Sequence, residues 1–379
     1  MYHIITVLGK GHGPYLLTKM EGSMTHILDD ANVVAQRDPA GALAFAASQP
    51  EQLRHDFGIS NTKPFGTITN VVFAGMGGSS LVAEFAKTWP RLSVPFVVSK
   101  TYDLPAFVGP ETLVICASAS GNTEETLESL THAEAVGAQI AIISHGGKLA
   151  AHAAEKGYLL AQLPEVPQPR YGVFYDFRAL VEILVAAGVT DIDVLTELEA
   201  LVRPLEDATK SWVQSVPAEQ NQAKQLADQL VGKTLIAYAG PLMYPAAYKW
   251  KIDANENAKN TAWCNALPEF NHNEFIGWSS HPTEKPFAVV DLISSFEHPR
   301  VLKRFELIDR MLSGMRPKAI DIHLQGESSL EHLLYGVLLG DFTTLYLAVL
   351  NGVNPTPVEL VEKFKKELGP YDPSTATNI

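Results

Sequence analysis

Three times between Val71 and Gly147 a short apolar run breaks into a glycine- or serine-rich turn and then into a helical pattern. Val71-Val-Phe-Ala74 runs into Gly75-Met-Gly-Gly-Ser-Ser80, and Leu113-Val-Ile-Cys-Ala117 into Ser118-Ala-Ser-Gly-Asn-Thr-Glu-Glu-Thr126. Ile140-Ala-Ile-Ile-Ser144 is followed by Gly146-Gly147 and another helix. Strands alternating with helices predict a parallel, doubly wound sheet with its ligands at the carboxyl ends of the strands.

The turns narrow the ligand. Gly75 to Ser80 gives glycines that let backbone amides approach an anion at a helix start. It lacks the third glycine and the later acidic residue of a dinucleotide fingerprint. The second turn is richer. Ser118, Ser120 and Thr123 set three hydroxyls beside helix-start amides, Gly121 permits close approach, and Glu124 and Glu125 suit the helix dipole. A helix cap needs one hydroxyl. Three, with no lysine among them, predict a phosphate nest.

Composition bounds what else the chain can be. Net charge is −13, from 29 basic and 42 acidic residues, which argues against nucleic acid or an anionic membrane as partner. No run of ~18 apolar residues is evident, so no membrane span is expected. Met1 to Lys19 carries no secretory h-region or cleavage site, and Met20 and Met24 are alternative starts. Cys116 and Cys264 sit in apolar or aromatic runs and read as reduced thiols of a cytoplasmic protein. With 379 residues, 46% of them hydrophobic, the chain is long enough for two domains. The expected plan is a helical lead-in at 1–64, a first α/β subdomain at 65–191, an acidic helical connector at 192–230, a second subdomain at 231–368 and a tail at 369–379.

In the second half, Thr234 to Gly240 repeats the strand-to-glycine turn, but with Pro-Leu-Met after the glycine, so it should not hold phosphate in the same way. Ala288-Val-Val-Asp-Leu and Ile320-Asp-Ile-His supply further strands. Tyr248 to Lys259 reads as a helix placing Ile252, Glu256 and Trp263 on one face. Among such neighbours Glu256 should be partly desolvated, its pKa raised towards a range where it can take and return a proton. Leu267-Pro268 should end that helix, and His272 follows between Asn271 and Asn273, whose amides are placed to fix its tautomer. Phe270, Phe275 and Trp278 in the same loop suggest an apolar patch that a two-fold dimer would cover.

Gly-Met-Gly-Gly-Ser followed by Ser-x-Ser-Gly-Asn-Thr-x-Glu-Thr resembles the sugar isomerase (SIS) domain. The later Asn-Glu-Asn-Ala-Lys and Pro-Glu-Phe-Asn-His-Asn-Glu resemble the bifunctional phosphoglucose/phosphomannose isomerases of archaea and bacteria. The resemblance spans roughly residues 24 to 368. It implies two SIS subdomains, each a doubly wound, mostly parallel sheet flanked by helices, and a homodimer. It further implies a hexose 6-phosphate held by Gly78, Ser79, Ser118, Ser120, Thr123 and Arg170. Two departures stand out: Ala119 replaces the usual Tyr between the serines, and Lys100-Thr101 replaces the usual Arg before Tyr102.

The activity so implied is aldose–ketose isomerisation of glucose 6-phosphate, mannose 6-phosphate or both with fructose 6-phosphate. Glu256 would move the proton through an enediol(ate), and His272 would help open the ring. The last helix would add a lysine: Lys365 shares a stripe with Val358, Val361 and Leu368 and is expected to face inward, with Lys363 the fallback. Thr356 is small and would leave room for the C2 hydroxyl. No metal or organic cofactor is expected, since no HExxH or Cys/His cluster is present. Two rivals are a non-catalytic sugar-phosphate sensor, for which no helix-turn-helix is seen, and an amidotransferase half, for which neither cysteine is placed.

Overall fold

The computed structural model describes residues 4–8, 14–20, 23–280 and 285–369. The chain forms two compact units. The first takes Met1–Pro50 and Arg203–Thr356, the second Glu51–Val202 and Pro357–Ile379. Two features of the expected plan shift. The early segment groups with the later α/β region, and the last helix, Glu359–Leu368, groups with the earlier one.

The lead-in is not wholly helical. Strands β1 (Ile4–Leu8), β2 (Pro14–Met20) and β3 (Ser23–His26) pair as an antiparallel sheet. Helical turns follow from Ile27 to Arg54. Those up to Pro50 join the first unit by long-range bonds: the Arg37 guanidinium donates to the Val349 carbonyl, and Gln49 Nε2 to Asp341 Oδ2 at 2.9 Å.

The second unit carries β4 (Asn70–Gly75), β5 (Phe96–Ser99), β6 (Thr112–Ala117), β7 (Gln139–Ser144) and β8 (Leu159–Gln162). All are parallel, in the order β5-β4-β6-β7-β8. Helices cover both faces, so β4, β6 and β7 are almost wholly buried runs of Val, Ile, Leu and Ala, the pattern of a two-sided parallel sheet. The edge strands β5 and β8 are short and partly exposed, and the sequence had not singled them out.

The first unit has a four-stranded parallel sheet of β9 (Thr234–Ala239), β10 (Ala262–Ala266), β11 (Phe287–Ile293) and β12 (Ile320–His323), in the order β10-β9-β11-β12. Its core helix, Ser329–Asn351, starts at a Ser328 cap bonded to Glu331 N and ends at left-handed Gly352. This helix corrects one expectation: by length and composition it is apolar enough to cross a membrane. Its apolar window is 94% buried in the protein, however, which makes it a core helix. It packs on Tyr244–Glu256 where Trp250 donates to the Gly336 carbonyl at 2.7 Å and lies against Gly340, which has no room for a side chain.

Candidate functional site

In the second unit the strand ends converge as the turns predicted. Ser118, at the end of β6, is buried with its hydroxyl 2.8 Å from Thr123 Oγ1 and 3.4 Å from Ser120 Oγ. Gly121 N donates to Ser118 Oγ at 3.1 Å and Asn122 N to Ser120 Oγ at 3.3 Å. Ser79, buried at the start of the Gly77–Ala86 helix, accepts from Ala119 N at 3.3 Å, which stitches the first turn to the second. Gly121 is required: its φ is 68°, and a Cβ there would run into the Gly146 carbonyl.

The hydroxyls face one another rather than capping the helices. Among the described residues, neither Gly77–Ala86 nor Glu124–Ala135 has a side-chain cap. Their first-turn amides and dipoles are therefore a ready anion site. Gly78 lies against the backbone of Arg170, whose N is 3.8 Å from where a Gly78 Cβ would be. A loop arginine is ordinarily solvated, but this one is only 1% exposed. It lies over the Tyr171 ring at 4.8 Å and donates to Gln168 Oε1 at 3.4 Å. A cavity of about 230 Å³ adjoins Ser120, lined also by Ala119, His145, Glu165, Tyr175 and Asp176. Burial pushes the Asp176 carboxyl up to about 8.

In the first unit Glu256 is the last residue of the Tyr244–Glu256 helix and is half-buried. The helix stops there. Trp263 is therefore not on its face with Ile252; it sits on β10 and is 54% exposed. Leu267-Pro268 closes β10 rather than a helix. Residues 257–261 lead from Glu256 into β10, and Asn260 Nδ2 bonds Lys233 O just ahead of β9 at 2.9 Å. Leu267 N, by contrast, bonds Ala239 O at the far end of β9 at 2.8 Å. Glu256 and His272 are thus attached at opposite ends of β10, a strand of five residues, roughly 16 Å long at ~3.3 Å per residue.

His272 ends the short Glu269–His272 turn and is exposed. The flanking amides act elsewhere: Asn271 Oδ1 accepts from Arg304 at 3.0 Å, and Asn273 Nδ2 donates to Glu269 at 2.6 Å. The loop itself is firmly held. Glu274 accepts from Tyr238 of β9 and from Asn265 of β10, the latter at 2.7 Å. Phe270 and Trp278 are buried in this unit's own core, with Phe275 packed against them. Among the described residues these three aromatics form no surface patch, because the loop folds them under itself.

The turn after β9 is filled from within. Leu242 N and Met243 N donate to Glu297 Oε1 at 2.9 and 3.2 Å, and a Cβ on Gly240 would overlap the Glu297 carboxyl. Burial raises that carboxyl from 4.5 to about 6, against the pull of the two amides. The sequence did not single out Glu297. Behind this turn Lys249, fully buried, pairs with Asp253 at 2.5 Å and with Asp341. Burial holds Asp253 well above the usual carboxylate range.

The C-terminal residues depart from expectation. Among the described residues the Glu359–Leu368 helix buries none, and Lys365 is exposed and paired with Glu362 at 3.1 Å. Lys363 and Lys366, not Lys365, line an open depression with Gln168. Thr356, just before this helix, is half-buried, and its N–H donates to Asn354 Oδ1 at 3.0 Å.

Residues 219–368 match the bacterial phospho-glucose isomerase C-terminal SIS domain. The bifunctional phosphoglucose/phosphomannose isomerase of Aquifex aeolicus is 34% identical over 301 residues, 79% of this chain and 90% of the relative. The chain belongs to the bifunctional phosphoglucose/phosphomannose isomerase family. The protein of that name from Caldicellulosiruptor bescii is likewise 34% identical, over 310 residues, 79% of this chain and 90% of the relative. A solved structure, a hypothetical protein of Thermus thermophilus, shares the fold with a TM-score of 0.67 at 17% identity, covering 90% of this chain and 94% of its own. Of the two departures from the family pattern, Ala119 lines the cavity beside the nest, and Lys100 pairs with Glu84 at 2.8 Å.

Proposed function

We propose that the protein is an aldose–ketose isomerase that interconverts glucose 6-phosphate and mannose 6-phosphate with fructose 6-phosphate. Membership of the family makes it an isomerase of sugar phosphates and disfavours a non-catalytic sensor. The observation that carries the reading is the nest of Ser79, Ser118, Ser120 and Thr123 over two uncapped helix starts, which suits a phosphate dianion. Gly78 keeps the approach open, and Arg170 adds positive charge beside the helix start.

Glu256 is the base that takes the proton from C2 of the open-chain aldose and returns it to C1 through an enediol(ate). His272, with a lysine of the last helix, shuttles the proton at the ring oxygen during opening. Lys363, which borders a depression, fits that role better than the exposed, paired Lys365. Thr356 leaves space for the C2 hydroxyl in either configuration. A positioned base typically supplies ~10²–10⁴ in rate, with orientation and charge stabilisation adding the rest.

The separation of Glu256 and His272 by the length of β10 supports a homodimer in which His272 of one copy serves Glu256 of the other. The buried aromatics no longer argue for it; the sheet topology does. The test of the activity is direct. Purified protein given fructose 6-phosphate should form both glucose 6-phosphate and mannose 6-phosphate, each quantified by its own coupled assay. Formation of neither would sink the reading, and formation of only one would remove the dual specificity.

A further inference from the structure

Lys259 is the only non-glycine residue with positive φ among the described residues, at 51°. Left-handed backbone is disfavoured for a long side chain, and it persists where the surroundings over-determine it. The surroundings here are specific. Lys259 Nζ donates to the Glu256 carbonyl at 2.7 Å and to the Pro355 carbonyl at 3.2 Å. Between them, fully buried Asn257 donates to Thr344 Oγ1 at 3.0 Å, and the Ala258 carbonyl accepts from Asn351 at 3.1 Å. Asn260 N closes the helix end on Ala254 O at 2.9 Å. Each residue from Asn257 to Lys259 is thus bonded to the Ser329–Asn351 helix or to the segment just beyond it.

A helix end needs partners for its last carbonyls, and a left-handed glycine is the usual terminator. Glycine would relieve the strain at this position but would bond neither carbonyl through a side chain. The lysine does two things at once. It fixes the peptide of Glu256, and it holds the residue next to Thr356.

We propose that Lys259 is a positioning residue, which locks the Glu256 carboxylate and the Thr356 segment into one geometry so that proton transfer and C2 discrimination are set together. This rests on the assignment of Glu256 as the base and Thr356 as the neighbour of the C2 hydroxyl. The phosphate is anchored by other residues, so substrate affinity is not what Lys259 controls. Displacing a reacting group by about an ångström costs on the order of 10²-fold.

The experiment compares Lys259→Gly, Lys259→Met and Lys259→Arg with Glu256→Gln in the full-length protein, reading kcat, KM, melting temperature and the glucose-to-mannose product ratio from fructose 6-phosphate. Lys259→Gly should melt within a few degrees of the parent, since relief of the strain offsets the two lost bonds and the freer unfolded chain. Its kcat should nevertheless fall ~10–100-fold with KM within about twofold, and its product ratio should shift by about threefold or more. Lys259→Met should lose turnover in the same way, and Lys259→Arg, able to reach both carbonyls, should recover most of it. Should Lys259→Met fail to fold, Lys259→Gly decides alone. A stable Lys259→Gly with parental kcat and product ratio, beside an inactive Glu256→Gln, overturns the positioning role and leaves the base intact. Near-parental turnover in Glu256→Gln overturns the base assignment, and the positioning role with it.

Discussion

After β4 and after β9 the chain makes the same move, from buried strand through a glycine turn into a helix, and then treats the helix start in opposite ways. In the second unit the start has no side-chain cap among the described residues, and the adjoining β6 turn adds three more hydroxyl groups. In the first unit the corresponding amides of Leu242 and Met243 are taken by Glu297 of the same unit. The turn proposed for phosphate lies open, whereas the other is met by a carboxylate of its own unit. The fold offers an anion site twice, and the chain decides which stays open by supplying or withholding a carboxylate.

The sharpest test of this division separates chemistry from anchoring. Glu256→Gln should lower kcat by ~10²–10⁴ while KM for fructose 6-phosphate barely moves. The same variant probes the dimer. Mixed with His272→Ala under exchange conditions, it should regain activity towards about half per heterodimer, because one pocket then carries neither defect. No recovery on mixing refutes the crossing of His272.

A smaller effect reopens the closed turn. Glu297→Ala leaves two amides unbonded and should cost ~1–3 kcal/mol in denaturant unfolding. Inorganic phosphate should then raise the melting temperature of the variant more than that of the parent. An equal response in both proteins would break the comparison. The pH dependence has a definite sign. Because burial raises the folded-state Glu297 from 4.5 to about 6, its own contribution to stability is fully present below about 4.5 and is lost as pH rises through about 6. The variant should lack that slope.

The smallest change is at the open turn. Ser118→Ala should raise KM for phosphorylated sugars about 2- to 12-fold, the equivalent of ~0.5–1.5 kcal/mol for a lost hydrogen bond, with kcat near parental. An unchanged KM would mean that phosphate sits elsewhere.

The open turn was legible because its parts are contiguous: Ser118 to Thr126 contains its own hydroxyls, glycine and acidic first turn. Glu297 was not, because it reaches Gly240 from the far end of β11, and nothing in the local pattern of either segment announces the other. The aromatics of the His272 loop misled for a related reason. Periodicity says that Phe270 and Trp278 need cover, and only the fold says that the cover is β9, β11 and the Pro299–Met311 helix of the same unit. Lys365 was placed inward on the assumption that the last helix buries its stripe. Within this chain that helix exposes Leu360, Val361, Phe364 and Leu368. The first turns of the long Ser329–Asn351 helix carry Glu331, His332 and Gly336 among the leucines, which hides its apolar length in the sequence.

The first unit is assembled from two stretches of chain with the body of the second lying between them in sequence. Gln49 meets its partner Asp341 across 292 positions, and Arg37 meets Val349 across 312. At ~5–20 residues per second of synthesis, roughly 15 to 60 s pass between the appearance of Gln49 on the ribosome and that of Asp341. Residues 51–202, the body of the second unit, are complete well before then. Leu28, Val33 and Leu43, all buried in the finished protein, must spend that interval without their partners. The nascent chain therefore carries an early apolar segment that needs shielding until the last long helix has emerged.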